Sequence, residues 1–92
     1  MPVLTEDQIR ASLSTLPEWS EMNGAIQRTY LFKDFVAAMR FVNKVADLAE
    51  AAQHHPDVLI RYNKVTLTLS THDAGGITEK DFALAGQADA AS

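Results

Sequence analysis

The sequence predicts an α+β fold, a four-stranded antiparallel sheet with three helices packed on one face. Helical and strand patterns alternate along the chain in the order helix, hairpin, helix, hairpin, helix. Two such hairpins can join into one antiparallel sheet, and amphipathic helices bury their apolar stripes against it. With 47% hydrophobic and 22% charged residues, we expect residues 1–92 to form a single globular domain.

The first third of the chain predicts a helix followed by a hairpin. Thr5 stands three residues before Gln8, as in a capping box, and Pro17 ends the helical segment. The pair Asn23-Gly24 then predicts a tight turn, because both residues accept positive φ. The segments on either side of this turn are the first two strands of the predicted sheet.

Two further helices are expected on either side of the second hairpin. Asp34 can cap a long helix that runs to about Ala52, and Thr78 can cap the last helix with Asp81 at its third position. The apolar arc of the long helix is wider than one sheet face requires. This width indicates a contact with another subunit or, equally well, the use of alanine simply as a good helix former.

The second hairpin is predicted from two runs rich in β-branched and aliphatic residues, 57–62 and 65–70. The second run alternates apolar with polar side chains, so its apolar residues should face the helices. If Asn63-Lys64 is the turn, His55 pairs with His72 across the two strands, about 5 Å apart at Cβ. The hairpin therefore predicts a cluster of imidazoles at its open end.

This cluster matters because the chain has three histidines in all, His54, His55 and His72. Imidazole gains and loses a proton near neutrality, so a cluster can supply both a general acid and a general base. Surface histidines at loop ends are one alternative, and a metal site is another. Adjacent residues on an extended chain point to opposite faces, and Pro56 favours extended backbone before it. This geometry and the absence of cysteine make a metal site the weaker alternative.

Composition and charge exclude several classes of function. The net charge is −4, the pI is about 5.1 and there is no basic run, which argues against direct nucleic-acid binding. The N-terminus does not resemble a signal peptide, and no apolar stretch approaches the ~20 residues that span a bilayer. With no cysteine, the chain is expected to be a cytoplasmic protein.

Four short motifs together resemble the signature of the pterin-4a-carbinolamine dehydratases. Their order and spacing cover most of the chain and extend upstream to Trp19: Glu50-x-x-x-His54-His55-Pro56-Asp57, Tyr62-Asn63-Lys64-Val65, Ser70-Thr71-His72 and Gly76-Ile77-Thr78-x-x-Asp81. Val58 stands where many members carry a large aromatic residue, and Gln53 replaces an acidic residue found in some members. Neither departure removes an acid–base group.

The resemblance implies an enzyme, a 4a-hydroxytetrahydrobiopterin dehydratase, which is a hydro-lyase. It removes water from a 4a-hydroxytetrahydropterin and gives quinonoid dihydropterin, which recycles the pterin of aromatic amino acid hydroxylases. The pterin is the substrate, and neither a metal nor a cofactor is expected. Implied partners are the pterin, further copies in a homodimer or homotetramer, and a functional link to phenylalanine hydroxylase. The alternative is a non-catalytic binding module on the same fold, a transcriptional dimerisation cofactor or an assembly factor.

By the same resemblance, the three histidines are the catalytic imidazoles. Two carboxylates are expected to support them. Glu50, in the last turn of the long helix and four residues before His54, could orient an imidazole or could equally be a solvated carboxylate. Asp81 could also orient an imidazole, but its capping position explains it equally well. The residues expected to contact the pterin are Pro56, Thr71, Asp73, Ala74 and Trp19, although Trp19 could equally be a core residue.

A division of labour among the histidines is our further hypothesis. We expect His54 and His55 to work on opposite sides of one pterin, with His72 holding the ring. Groups at the open end of a hairpin bury little surface, so the fold should survive the loss of any of the three. The sequence leaves open which histidine is the acid, which pterin side chain is bound, and whether the oligomer is a dimer or a tetramer.

Overall fold

A computed structural model describes residues 2–92 and confirms the α+β prediction. Three helices pack against a four-stranded antiparallel sheet whose strands lie in the order β1-β2-β4-β3. The elements follow the predicted sequence of helix, hairpin, helix, hairpin, helix: α1 (Glu6–Leu13), β1 (Ser20–Met22), β2 (Ala25–Leu31), α2 (Phe35–Ala52), β3 (Asp57–Arg61), β4 (Lys64–Leu69) and α3 (Glu79–Ala91). A short 3₁₀ turn, His72–Ala74, lies between β4 and α3.

The helix starts are set by the predicted caps. Thr5 and Thr78 each form a complete capping box, with Gln8 and Asp81 returning the second hydrogen bond. The Asp34 side chain accepts a hydrogen bond from a backbone N–H in the first turn of α2 at 2.8 Å. Each cap satisfies amide groups that the helix itself leaves unpaired.

The sheet has one buried face and one open face, as the alternation in β4 predicts. Val65, Leu67 and Leu69 are buried, and they meet Phe41 and Val45 of α2 in the hydrophobic core. The intervening threonines of β4 face the other side, where Thr66 and Thr29 exchange a hydroxyl hydrogen bond of 2.8 Å. The core therefore lies between the sheet and the helices.

The turn of the second hairpin lies one residue earlier than predicted. Its two central residues are Tyr62 and Asn63, and the pairing of Arg61 with Lys64 closes the ladder. Asn63 is held to the end of β2, because its carbonyl accepts the Phe32 N–H at 2.8 Å and its amide donates to the Phe32 carbonyl at 2.9 Å. This contact with a neighbouring strand fixes the turn, and Tyr62 consequently takes a positive φ of 53°.

The shifted turn makes the predicted pairing of His55 with His72 wrong. The ladder between β3 and β4 ends where Asp57 pairs with Thr68, so both histidines lie beyond its last rung. They are brought near one another by the segments that leave the sheet, and not by the sheet itself.

Helix α2 keeps part of its wide apolar arc exposed. Phe41 and Val45 are buried, but Phe35 and Val36 in the first turn are 48% and 56% exposed. Leu59 on the edge strand β3 is 56% exposed as well. No helix within residues 2–92 is both long enough and apolar enough to cross a membrane.

Candidate active site

All three histidines line one shallow pocket of about 240 Å³ beside the end of β4. His54 and His55 reach it from the end of α2, and His72 reaches it from the 3₁₀ turn after β4. The other walls are polar and come from both sides of the pocket: Gln53, Ser70, Thr71, Asp73 and Lys80. The predicted cluster therefore exists, although the hairpin register that predicted it does not.

The end of α2 sends the two adjacent histidines in different directions. Gln53 takes a left-handed conformation with φ of 51°, and the His54 N–H donates back to the Ala49 carbonyl at 3.1 Å. After this turn the His54 side chain enters the protein and the His55 side chain stays at its surface. Gln53, which ends the helix, thus supplies the irregular backbone that lets His54 and His55 line the same pocket.

His54 faces a buried carboxylate. Its Nε2 lies 2.5 Å from Oδ1 of Asp81, and Asp81 has no exposed surface. His54 itself is 8% exposed. A buried pair of this kind holds the imidazole in one orientation, because turning the ring would leave the carboxylate without its partner.

The second oxygen of Asp81 is also fully engaged. Oδ2 accepts the Thr78 N–H at 2.9 Å and the Thr71 hydroxyl at 3.0 Å. The hydroxyls of Thr71 and Thr78 lie 2.7 Å apart, so the network closes on itself. Asp81 is therefore both the capping residue of α3 and the support of His54, the two roles that its sequence position left open.

His55 is bonded to Glu50 across the last turn of α2. Its Nε2 and Oε2 of Glu50 form a hydrogen bond, and the two side chains are 58% and 72% exposed. Glu50 contacts an imidazole, as expected, but that imidazole belongs to His55 and not to His54. The left-handed turn at Gln53 carries His54 away from the helix end and leaves His55 beside it. The exposed pair can meet a ligand directly.

His72 is the most exposed of the three. Its Nδ1 lies 3.9 Å from Asp73 Oδ1, and both side chains are fully exposed. The turn that carries them is closed by Thr71, whose N–H donates to the Gly76 carbonyl at 2.8 Å. A short closed turn thus presents His72 at the pocket rim without fixing its side chain.

An apolar groove of about 220 Å³ adjoins the histidine pocket. It runs between α2 and β3, and His55 lines both spaces. Glu50 and Pro56 stand at the same end as His55, and the remaining walls are aliphatic: Val42, Val45, Ala46, Ala49 and Val58. Pro56, expected to contact the pterin, therefore lines the groove and not the histidine pocket.

Two other predicted contact residues lie away from the pocket walls. Ala74 belongs to the 3₁₀ turn but does not line the pocket. Trp19 is buried in the core and donates its indole N–H to Asp89 at 3.0 Å. Asp89 follows Asp81 on α3 by about 12 Å along the helix axis, so the structure does not bring Trp19 to the histidines.

The Asp89 carboxylate gathers a second polar cluster. Besides Trp19, it accepts hydrogen bonds from Arg28 at 2.9 Å and from the hydroxyl of Tyr30. The Arg28 guanidinium also lies over the Tyr30 ring, 4.2 Å from its centroid, and its Nε is buried without a partner. Burial, and then the neighbouring Asp89, raise the pKa of Tyr30 well above its usual range.

Sequence reasoning missed several pocket residues. Gln53, Ser70 and Lys80 line the pocket, and the Thr71–Thr78 hydroxyl pair supports it. Lys80 stands immediately before Asp81 in the first turn of α3, so its place could have been inferred once Asp81 was set beside His54. Within residues 2–92, no group of three or more His, Cys, Asp or Glu side chains is arranged to hold a metal ion.

The family model and the most similar relatives indicate the same family. A family model described as pterin 4 alpha carbinolamine dehydratase matches residues 2–91. A relative from Picosynechococcus sp. is 58% identical over 94% of each chain, and one from Chloroflexus aurantiacus is 57% identical over 97% of this chain and 96% of its own. Both are provisionally named pterin-4-alpha-carbinolamine dehydratase.

Solved structures agree with this result. A crystal structure from Brucella melitensis, described as a transcriptional coactivator/pterin dehydratase, has a TM-score of 0.94 and 37% identity over 97% of both chains. A pterin dehydratase-like protein identified as a RuBisCO assembly factor in the α-carboxysome has a TM-score of 0.69 at 23% identity, covering 80% of this chain and 88% of its own, and shares the fold alone. The chain therefore belongs to the pterin-4a-carbinolamine dehydratase family.

Proposed function

We propose that this protein dehydrates 4a-hydroxytetrahydropterins by general acid–base catalysis with its histidines. The observation that carries the proposal is the pair of imidazole–carboxylate contacts at one pocket, His54 with Asp81 and His55 with Glu50. Each carboxylate can fix an imidazole and stabilise it when it carries a proton. Two such imidazoles meet the needs of a reaction that moves two protons.

The reaction breaks the bond between C4a and the hydroxyl oxygen. One group protonates that oxygen, which leaves as water, and another takes the proton from N5 as the C4a–N5 double bond forms. The product is quinonoid dihydropterin. Positioned acids and bases typically accelerate such steps by roughly 10²–10⁴-fold each, and no redox step is involved.

In this proposal the three histidines have different roles. When Asp81 is ionised, Nε2 of His54 carries a hydrogen toward it, and Nδ1 is left with the lone pair. His55 is exposed beside Glu50 and is free to exchange its proton with a bound molecule. His72, without a close partner, serves to hold the substrate.

The product of this reaction is a pterin that must be reduced before it is used again. This places the protein in the recycling of the cofactor of aromatic amino acid hydroxylases, with a functional link to phenylalanine hydroxylase. In this proposal the reaction uses neither a metal nor a cofactor. Dialysis against a chelator should leave the activity intact, and activity that is lost and then restored by zinc would contradict this part of the proposal.

A stopped-flow assay of carbinolamine disappearance tests the proposal. The wild-type protein should raise the rate well above that of buffer alone. His72→Ala should raise KM more than it lowers kcat, because a holding residue contributes chiefly to binding. A wild-type rate equal to that of buffer would refute the proposal.

The protein also self-associates in this proposal, as a homodimer or homotetramer. Apolar side chains are exposed at the start of α2 and on the edge strand β3, and a chain of 92 residues has a modest core that gains from further burial. Sedimentation at micromolar concentration should show a dimer or tetramer. A monomer of 10.1 kDa would contradict it.

A non-catalytic binding role on this fold is the alternative. Such a role would use the helix surface or a sheet edge, and would not need imidazoles set against carboxylates. Two imidazoles that line one pocket, each bonded to a carboxylate, therefore favour the enzyme.

A further inference from the structure

We infer that segment 2–4 is a positioning element of the active site, because it braces the turn that carries His72. This turn comprises residues 71–76 and is called the His72 turn below. The inference rests on the proposed function, in which His72 holds the substrate. It adds to that function the residues that keep His72 in place.

The His72 turn is tied to the rest of the protein at its first end. Thr71 is buried, and its hydroxyl lies 2.7 Å from that of Thr78 and donates to Asp81 at 3.0 Å. Further along, the turn closes on itself, since the Gly75 N–H donates to the His72 carbonyl at 3.1 Å. The imidazole of His72 is fully exposed. Its position therefore follows the backbone of the turn.

Segment 2–4 holds the second end of the turn. The Leu4 N–H donates to the carbonyl of Ile77, the residue directly after Gly76, at 2.9 Å. The Leu4 side chain packs against the hydrophobic core, and Ile77 is 1% exposed. This hydrogen bond therefore joins the end of the His72 turn to a residue that the core itself fixes.

Val3 lies directly against Gly76. A Cβ atom at Gly76 would come 3.2 Å from Cγ1 and 3.6 Å from Cγ2 of Val3. Gly76 does not take a positive φ, so its backbone does not require glycine. The missing side chain instead leaves room for Val3, which closes over the end of the His72 turn.

Loss of the Val3 contact should free the second end of the turn and leave the core intact, because Val3 is 46% exposed. A mobile His72 is correctly placed for only part of the time, and the apparent affinity for the substrate falls with that fraction. The proton-transfer groups of the proposed function, His54 and His55, do not belong to the turn. We therefore expect KM to rise while kcat is kept.

Val3→Ala tests the brace. KM for 6-methyl-4a-hydroxytetrahydropterin should rise roughly three- to fivefold, while kcat stays within about twofold of wild type. In the His72→Ala background the same substitution should change KM by less than about 1.5-fold, because its effect acts through His72. An equal rise of KM in both backgrounds would overturn the inference.

Gly76→Ala is the complementary variant. Its new Cβ presses on Val3, so KM should rise roughly three- to tenfold. Adding Val3→Ala removes both Cγ atoms and should return KM to about that of Val3→Ala alone. The matched control is Gly86→Ala in α3, where a Cβ meets nothing within 4 Å and KM should not change. A double variant whose KM rises by the product of the two single increases would contradict the contact, because independent sites behave in that way.

The ¹⁵N relaxation of the backbone amides separates this inference from the proposed function, because it needs no substrate. In wild type the amides of residues 72–75 should have order parameters of about 0.85, as in rigid backbone, and in Val3→Ala they should fall to about 0.6. Gly86→Ala should leave them at the wild-type value.

Each combined outcome then has one meaning. If the protein shows no dehydration but Val3→Ala lowers these order parameters, the function fails and the brace stands. If dehydration occurs and Val3→Ala changes neither KM nor the order parameters, or only one of the two, the brace is overturned and the function stands. No dehydration together with unchanged order parameters would overturn both.

Discussion

Helix α3 carries two aspartates that hold different kinds of partner. Asp81 at its start is completely buried and faces the imidazole of His54, a side chain that can both donate and accept a proton. Asp89 near its end is partly exposed and faces Trp19, Arg28 and Tyr30, which all donate hydrogen bonds to it. The comparison shows that the partner of a carboxylate indicates whether it supports catalysis. Its burial and its number of hydrogen bonds do not.

The two clusters also differ in how they fix α3. Asp81 joins the start of the helix to the end of α2 through His54, so any change there reaches the pocket. Asp89 joins the end of the helix to the sheet through Arg28 and Tyr30, about 12 Å further along the axis. We therefore expect the first cluster to affect activity and stability together, and the second to affect stability alone.

The largest effect is expected from Asp81→Ala. Removing one partner of a buried pair typically costs about 3–5 kcal/mol, and the variant also loses the N-terminal cap of α3. Urea unfolding should show this loss, and the dehydratase activity of the folded fraction should fall with it. The control is Asp73→Ala, which removes a fully exposed carboxylate and should change stability by less than about 0.5 kcal/mol. If Asp81→Ala lowers the free energy of unfolding by less than about 1 kcal/mol, the hydrogen bonds of Asp81 do not stabilise the fold as described.

Asp89→Asn should have an intermediate effect on stability and none on catalysis. The amide keeps an oxygen acceptor but loses the charge that faces Arg28, so we expect a loss of about 1–2 kcal/mol. Urea unfolding and steady-state kinetics on the same preparation measure both quantities. A tenfold fall in kcat would contradict the expected difference between the two aspartates, because it would show that Asp89 affects catalysis.

Tyr30 gives the Asp89 cluster a pH dependence of its own. Burial raises the pKa of Tyr30 in the folded protein above that of an unfolded tyrosine, about 10. The folded state therefore binds the phenolic proton more tightly, and this stabilisation is fully present below pH 10 and declines as the pH rises above it, by at most about 1.4 kcal/mol per pH unit. Unfolding midpoints between pH 8 and pH 11 should fall more steeply for wild type than for Tyr30→Phe. Parallel profiles would contradict this account.

The smallest effect on the fold is expected from Glu50→Gln. The Glu50–His55 pair is exposed, and exposed pairs contribute about 0–1 kcal/mol to stability. The amide cannot stabilise a protonated imidazole as a carboxylate does, so kcat should fall about 3- to 10-fold while the unfolding midpoint stays unchanged. If the unfolding midpoint of Glu50→Gln falls as far as that of Asp89→Asn, Glu50 contributes to the stability of the fold and this prediction is wrong.

Much of the fold can be predicted from the sequence, because helix caps and tight turns depend on residues that are close together in the chain. The caps at Thr5, Asp34 and Thr78 and the turn at Asn23-Gly24 use residues within a few positions of one another. The turn at Tyr62-Asn63 was predicted one residue late because its register depends on Phe32, some thirty residues away. Long-range contacts of this kind leave no periodic signal in one sequence.

The site follows the same pattern. Clustering of the three histidines was predictable from their positions beside predicted elements, and all three line one pocket. The pairing of His54 with Asp81 and of His55 with Glu50 was not, because it depends on one left-handed residue, Gln53. The premise that all three histidines bury little surface is wrong for His54, which lies against a buried carboxylate. Survival of the fold without it stays a prediction.

The measurement that tests the central claim most directly is the stopped-flow rate of carbinolamine dehydration by His55→Ala and His54→Ala, taken with the unfolding midpoint of each variant. We predict that His55→Ala loses roughly 10- to 1,000-fold in kcat and changes stability by less than about 0.5 kcal/mol. His54→Ala should lose activity to a similar extent and stability as well, because it leaves Asp81 buried without its partner. If both variants dehydrate the carbinolamine at the wild-type rate, the imidazole–carboxylate pairs are not the catalytic groups and the account is wrong.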